Sequence, residues 1–226
     1  MNDPLVISSL EEWVLFVFDH PASDPRWYWD FDAPWWNEED HFPEVIAYLT
    51  SLFTDSKKHL EPYSNAQINQ GLWYMVHNSS SNHMYALFDE NIPLKHRLLC
   101  IKEIENFFWD CFAERCSANL SHCDDSLEID ILNSACYMFF DLLPYIGKPN
   151  DPKSQQVDQA FLNVLEHVIY IPHTACCESG LHGLGHWALN YPQQAKEIIN
   201  KFLKAFPNLN PILVNYAKQA AIACVQ

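Results

Sequence analysis

The chain has 226 residues, 49% of them apolar and 14% aromatic, which is enough to build a large buried core and excludes a disordered polymer. A formal net charge of −16 at pH 7 argues against nucleic acid and against an anionic membrane surface, since both demand basic patches. The acid is concentrated early: residues 1–62 carry thirteen Asp or Glu against Arg26, Lys57 and Lys58, a balance that favours a basic protein partner.

The opening MNDPLVISSLEEWVLF carries Glu11 and Glu12 and no basic n-region, so a signal peptide is not expected. Charges or prolines interrupt every apolar run before it reaches the length of a membrane span. The expected location is therefore a reducing cytoplasm, with the eight cysteines as buried thiols, as Cys100 in RLLCI and Cys136 in NSACYMFF suggest.

From there on the periodicity is helical. FPEVIAYLTSLF places Val45, Leu49 and Leu52 on one face, with Pro43 in the first turn. SNAQINQGLWYMV opens with Ser64 and Gln67 at capping-box spacing, and DSLEIDILNSACYMFFDLLP repeats the device with Asp125 and Glu128 before stopping at Pro144. Pro192 and Pro207 bound YPQQAKEIINKFLKAFP, and Asn210 and Pro211 start the last helix. The later helices read as consecutive antiparallel pairs: 93–116 with 125–143, 154–170 with 173–190, and 192–206 with 211–225. The expected architecture is one all-α domain over 1–226, either a HEAT-like α-solenoid or an irregular α–α superhelix. Residues 1–41 supply an N-terminal helix and an aromatic acidic arm, and 42–226 the helical-repeat body. GKPNDPKSQQ (147–156) is the best candidate for a hinge.

Four stretches carry a resemblance: YSNAQINQGLWY (63–74), LNSACYMFFDLLP (132–144), CCESGLHGLGHW (176–187) and NYAKQAAIACV (215–225). Their wording resembles an uncharacterised bacterial family of HEAT-like α-helical repeat proteins. The resemblance implies a helical-repeat fold of the kind that serves as a binding scaffold. It implies no reaction, and it assigns no site residues.

CCESGLHGLGHW holds three of the five glycines. On a helical wheel, Cys177, Leu181, Leu184 and Ala188 form an apolar stripe. Cys176, Ser179, Gly180 and Gly183 form a stripe of small residues ending in Trp187, and Glu178, His182 and His186 occupy the remaining side. Glycine inside a helix costs roughly 1 kcal/mol relative to alanine, so close approach of a neighbouring helix must offset it. The histidines, four residues apart, have the separation that chelates zinc, with Glu178 as a third ligand or as an acceptor that fixes an imidazole tautomer, and His173 or Tyr137 as additions from elsewhere. No HExxH glutamate lies between them. Helix packing is the preferred reading, and a metal-dependent, hydrolase-like enzyme built on Glu178, His182 and His186 is the alternative. Cys111, Cys116, His122 and Cys123 form a second, weaker zinc pattern, because Cys111 and Cys116 diverge on a helix and no C-x-x-C pair is present.

DPRWYWDFDAPWWNEED (24–40) holds four of the eight tryptophans. Trp27, Trp29, Trp35 and Trp36 beside Asp30 and Asp32 have the chemistry to enclose a cation or to anchor a partner. The competing reading is mechanical: tryptophans wedged between helices tie the arm down, with Arg26 stacked on an aromatic neighbour. No phosphate loop, dinucleotide fingerprint or G-x-S-x-G elbow occurs. The expectation is thus a noncatalytic protein-interaction scaffold with an acidic aromatic surface and no cofactor. Zinc remains attached to the alternative, and a small-cation sensor with an aromatic cage is a third reading.

Overall fold

The structure is a computed structural model that describes residues 4–123 and 128–225, and among these all regular structure is helical. Helix α1 (Leu10–Phe18) is capped by Ser9, whose hydroxyl accepts the Glu12 N–H, and it buries Trp13, Val17 and Phe18. The aromatic arm follows, with single 3₁₀ turns at Trp27–Trp29 and Glu38–His41. Helix α2 (Phe42–Thr54) has Pro43 in its first turn and buries Val45, Ile46, Leu49, Leu52 and Phe53. After the short α3 (Ser56–Leu60), α4 (Asn65–Val76) starts at the reciprocal Ser64–Gln67 capping box. Helix α5 (Leu94–Phe107) runs through a π turn at Phe108–Phe112 into α6 (Ala113–Arg115). Then come α7 (Leu132–Met138), α8 (Gln155–Ile169), α9 (Thr174–Trp187), α10 (Pro192–Ala205) and α11 (Pro211–Ala220), the last capped by Asn210.

The packing sorts these helices into two rows. In one, α2 packs on α5, α5 on α8 and α8 on α10; in the other, α1 packs on α4, α4 on α7, α7 on α9 and α9 on α11. Contacts of α1 with α2, α8 with α9, and α9 with α10 join the rows, so a single buried apolar cluster runs from Ile7 to Ala220. The expected pairing of 154–170 with 173–190 is present as α8 against α9. That of 93–116 with 125–143 is not the main contact: α5 takes α2 and α8 as neighbours, and α7 takes α4 and α9. Helix α7 is also much shorter than the periodicity suggests. It begins at Leu132, whose N–H is accepted by Asp130 Oδ1 at 2.8 Å; Asp125, half of the expected capping box, lies outside the described residues.

Residues 147–156 are fastened down. Asp158, almost fully buried on α8, accepts the Lys148 N–H at 2.9 Å and the hydroxyls of Tyr145 and Tyr191. Among the described residues no helix is long and apolar enough to cross a membrane.

Candidate functional site

Helix α9 is buried on nearly every side, with only Thr174 at its start and His186 partly open along its length. Its small residues face neighbours at contact distance. A Cβ at Gly180 would lie 2.7 Å from Ile169 Cγ2 of α8, and one at Gly183 would lie 2.8 Å from Phe140 Cβ. Close approach therefore accounts for these two glycines without a ligand. Glu178 is fully buried, and its carboxylate accepts three consecutive backbone N–H groups, from Ser121 (2.5 Å), His122 (3.1 Å) and Cys123 (2.9 Å). That carboxylate pins the loop after the π turn, and it is not the acid that meets the two histidines.

The acid beside them is Asp141, from the turn after α7. His186 Nε2 lies 3.2 Å from His182 Nε2 and 3.1 Å from Asp141 Oδ1. Asp141, His182 and His186 are, among the described residues, the one group that brings three metal-ligating atoms within 4.8 Å of one another. Tyr216 of α11 approaches from the other side, its hydroxyl 2.6 Å from His182 Nδ1 and 2.9 Å from the Tyr137 hydroxyl. The Tyr137 ring lies 4.3 Å from that of His182 and stacks on His122. Burial, helped by the neighbouring His186 and His122, holds the His182 imidazole down at about 3, so at neutral pH it is uncharged and its ring nitrogen keeps a lone pair. Tyr216 also lines a cavity of about 390 Å³ with His122, Cys123 and Gln219.

The second sequence pattern is dispersed. Cys111 and Cys116 turn inward, where Cys116 and Cys176 lie beside the Cys136 thiol, while His122 is exposed and Cys123 sits against Glu178. His173, at the start of α9, interacts with Cys176 and lies 3.3 Å from the Cys116 carbonyl. Hydrogen bonding from Cys136 first, and then from His173, draws the Cys176 thiol below its ordinary range, whereas burial pushes Cys136 up. Six of the eight thiols, Cys176 among them, are buried.

The arm is both tethered and open. Trp36 is buried against His41 and His83, and Trp27 stacks on His20 with ring centres 3.8 Å apart. Arg26 donates to the Tyr28 hydroxyl at 2.8 Å and lies over the Trp73 ring at 4.9 Å, so the arm's own cation is spent on α4. Between these tethers lies a cavity of about 430 Å³ whose walls include Trp27, Tyr28, Trp35, Trp36 and Tyr74, with Asp30 and Glu38 as its acids. Four of the six arm residues singled out in the sequence thus line one pocket. Trp29, 55% exposed, and Asp32 stand outside it. Sequence reading missed Tyr74 and did not single out Glu38 from the other acids of the arm. Tyr74 arrives from α4 and reads there as core, while Glu38 is one acid in a run of three. Burial raises the Glu38 carboxyl, opposed by the Asn82 N–H that it accepts at 2.5 Å.

Below the pocket a fixed chain of hydrogen bonds holds the walls. Trp13 Nε1–H donates to His83 Nε2 at 3.0 Å, His83 Nδ1 lies 2.9 Å from Ser81 Oγ, and the Ser81 hydroxyl donates to the Tyr74 carbonyl at 2.8 Å.

No family model matches this chain, and neither curated proteins nor solved structures give a match.

Proposed function

We propose that this protein is a noncatalytic interaction scaffold that captures a basic partner in the cytoplasm by seating a cationic side chain in the aromatic pocket of the arm. The observation that carries the reading is the pocket itself: six aromatic residues (Phe31 with the five named above) and two carboxylates around about 430 Å³. Aromatic faces attract a cation through their quadrupoles, most strongly where water is displaced, and the volume is in the range of small-ligand sites. The excess of acid in residues 1–62 would steer a basic partner toward the same end of the chain. The two rows of helices are compatible with a HEAT-like α-solenoid, which would hold the arm on a rigid body.

The test is tryptophan fluorescence titrated with a lysine-rich peptide carrying one trimethyl-lysine. Saturable binding is expected, about tenfold weaker for the unmethylated peptide and about tenfold weaker for Trp35→Ala. Trp35 is the residue to change because it is 43% exposed, whereas Trp36 is 3% exposed and its loss would disturb the core. Free tetramethylammonium binding as tightly as the peptide would shift the reading to a small-cation sensor. Titrations that do not saturate, or that ignore Trp35→Ala, would refute capture at this pocket.

A further inference from the structure

We infer that Asp141, His182 and His186 form a binding site for one divalent transition-metal ion, zinc being the ion to test. Two donor atoms each about 2.0–2.2 Å from one ion, at angles of roughly 90–110°, lie about 3.0–3.5 Å apart. The pairs His186 Nε2–His182 Nε2 and His186 Nε2–Asp141 Oδ1 measure 3.2 and 3.1 Å, and all three ligand atoms fall within 4.8 Å of one another. The two pairs that share His186 Nε2 thus stand at the spacing of adjacent corners of a coordination sphere before any ion enters.

The surroundings fit the same role. A histidine that ligates through Nε2 ordinarily gives its Nδ1–H to an oxygen acceptor, which fixes the tautomer and the ring. His182 Nδ1 has that acceptor in the Tyr216 hydroxyl at 2.6 Å, and Tyr216 is held in turn by Tyr137. Without an ion, the two Nε2 atoms face each other across a gap that accommodates one proton, and His186 Nε2 has both His182 and Asp141 as acceptors for a single N–H. A dication satisfies all three lone pairs at once.

The helix supplies the geometry. Residues four apart on α9 stack His182 and His186 one turn from each other, and α9 is immobilised by close packing at Gly180 and Gly183. The side chains of His186 and Asp141 are 25% and 33% exposed, so the ion would face solvent on one side and keep at least one water. The donor set suits zinc or another first-row ion and not magnesium or calcium, which prefer all-oxygen shells. The site is built from α9, α11 and the turn after α7, so it is independent of the arm and of the peptide test above.

The experiment is titration of tag-free, EDTA-treated and desalted full-length protein with Zn²⁺, followed by calorimetry and thermal melting, with Co²⁺ as a spectroscopic probe. One ion per chain is expected, with a rise in Tm on adding Zn²⁺ and a visible d–d band on adding Co²⁺. Asp141→Asn with His186→Gln should abolish both responses while leaving the helical circular dichroism unchanged. These two residues are chosen because both are partly exposed, whereas replacing buried His182 risks the fold. Tyr216→Phe, which keeps the ring and removes the acceptor, should weaken Zn²⁺ roughly tenfold or more. No saturation by about 1 mM Zn²⁺, far above the dissociation constants of structural protein zinc sites, or one-to-one binding that survives in the folded double variant, would overturn the assignment.

Discussion

Glu178 and Asp141 are both acids near the two histidines of α9, and their surroundings give them opposite duties. Glu178 is fully buried with three backbone donors on its carboxylate, so its negative charge is matched by the loop at 121–123. Replacing it with glutamine keeps the size but sets an amide NH₂ against backbone N–H groups. Hydrogen bonds to a charged group contribute about 1.5–3 kcal/mol each, and donors left unpaired in the interior cost a further amount. Glu178→Gln is therefore expected to lower the unfolding free energy by about 3 kcal/mol, read from urea midpoints at constant m. Asp141→Asn, at a carboxylate 33% exposed and held mainly by a histidine, should change stability by less than about 0.5 kcal/mol. Equal losses at the two positions would contradict this division of roles.

At the scale of the element, α9 is where local propensity and tertiary packing disagree most openly. On an exposed helix, glycine to alanine stabilises by roughly 1 kcal/mol. At Gly183 the added methyl would sit 2.6 Å from Leu165 Cδ2 and 2.8 Å from Phe140 Cβ. Leu165 can swing its terminal methyl, but Phe140 Cβ is fixed to backbone, so overpacking at about 1–3 kcal/mol outweighs the propensity gain. Gly183→Ala should thus destabilise, seen as a lowered Tm, and a raised Tm would mean that α9 can shift away from α8 and the turn after α7. This disagreement was legible in CCESGLHGLGHW, because three glycines in one helix announce close approach by their cost alone. Helix limits set by local chemistry were legible too: Ser64 with Gln67, Asn210 before Pro211, and Pro192 at the start of α10 each act within one turn. What joined these helices was not. The row order α2–α5–α8 rests on faces that many helices share, and nothing in the spacing prefers it to consecutive pairing. Asp141 was overlooked for the same reason. It lies 45 positions before His186 in the sequence and meets it through the contact of α7 with α9, while Glu178 attracted attention by sitting one turn from His182 on the same helix. A lone acid inside the apolar run YMFFDLLP was the available clue, since a carboxylate in such a run needs a partner.

For the whole molecule, acid titration exposes how the arm is anchored. His83 is fully buried beneath the aromatic pocket, and burial lowers its imidazole to about 3. The geometry agrees, because Trp13 Nε1–H already points at His83 Nε2, and a proton there would set donor against donor. Above pH 6.5, neither the folded nor the unfolded chain holds the extra proton, so His83 contributes no pH dependence. Between pH 6.5 and about 3 the unfolded chain takes it up and the folded one does not, so this residue makes stability fall as pH falls, by up to about 1.4 kcal/mol per pH unit. Glu38, whose Oε1 is 4.0 Å from His83 Nδ1, works in the opposite direction. Its folded carboxyl is raised, so protonation on the way down favours the folded state. Relief of the −16 net charge acts in the same sense. Comparing wild type with His83→Gln removes these shared contributions. The variant should be less stable at pH 7.5, where a fitted imidazole is lost, and the difference should shrink as pH is lowered to 5, with urea unfolding measured at each pH. A constant difference would mean that the folded protein accepts the His83 proton, and that the hydrogen-bonded chain from Trp13 to Tyr74 under the pocket rearranges instead of holding.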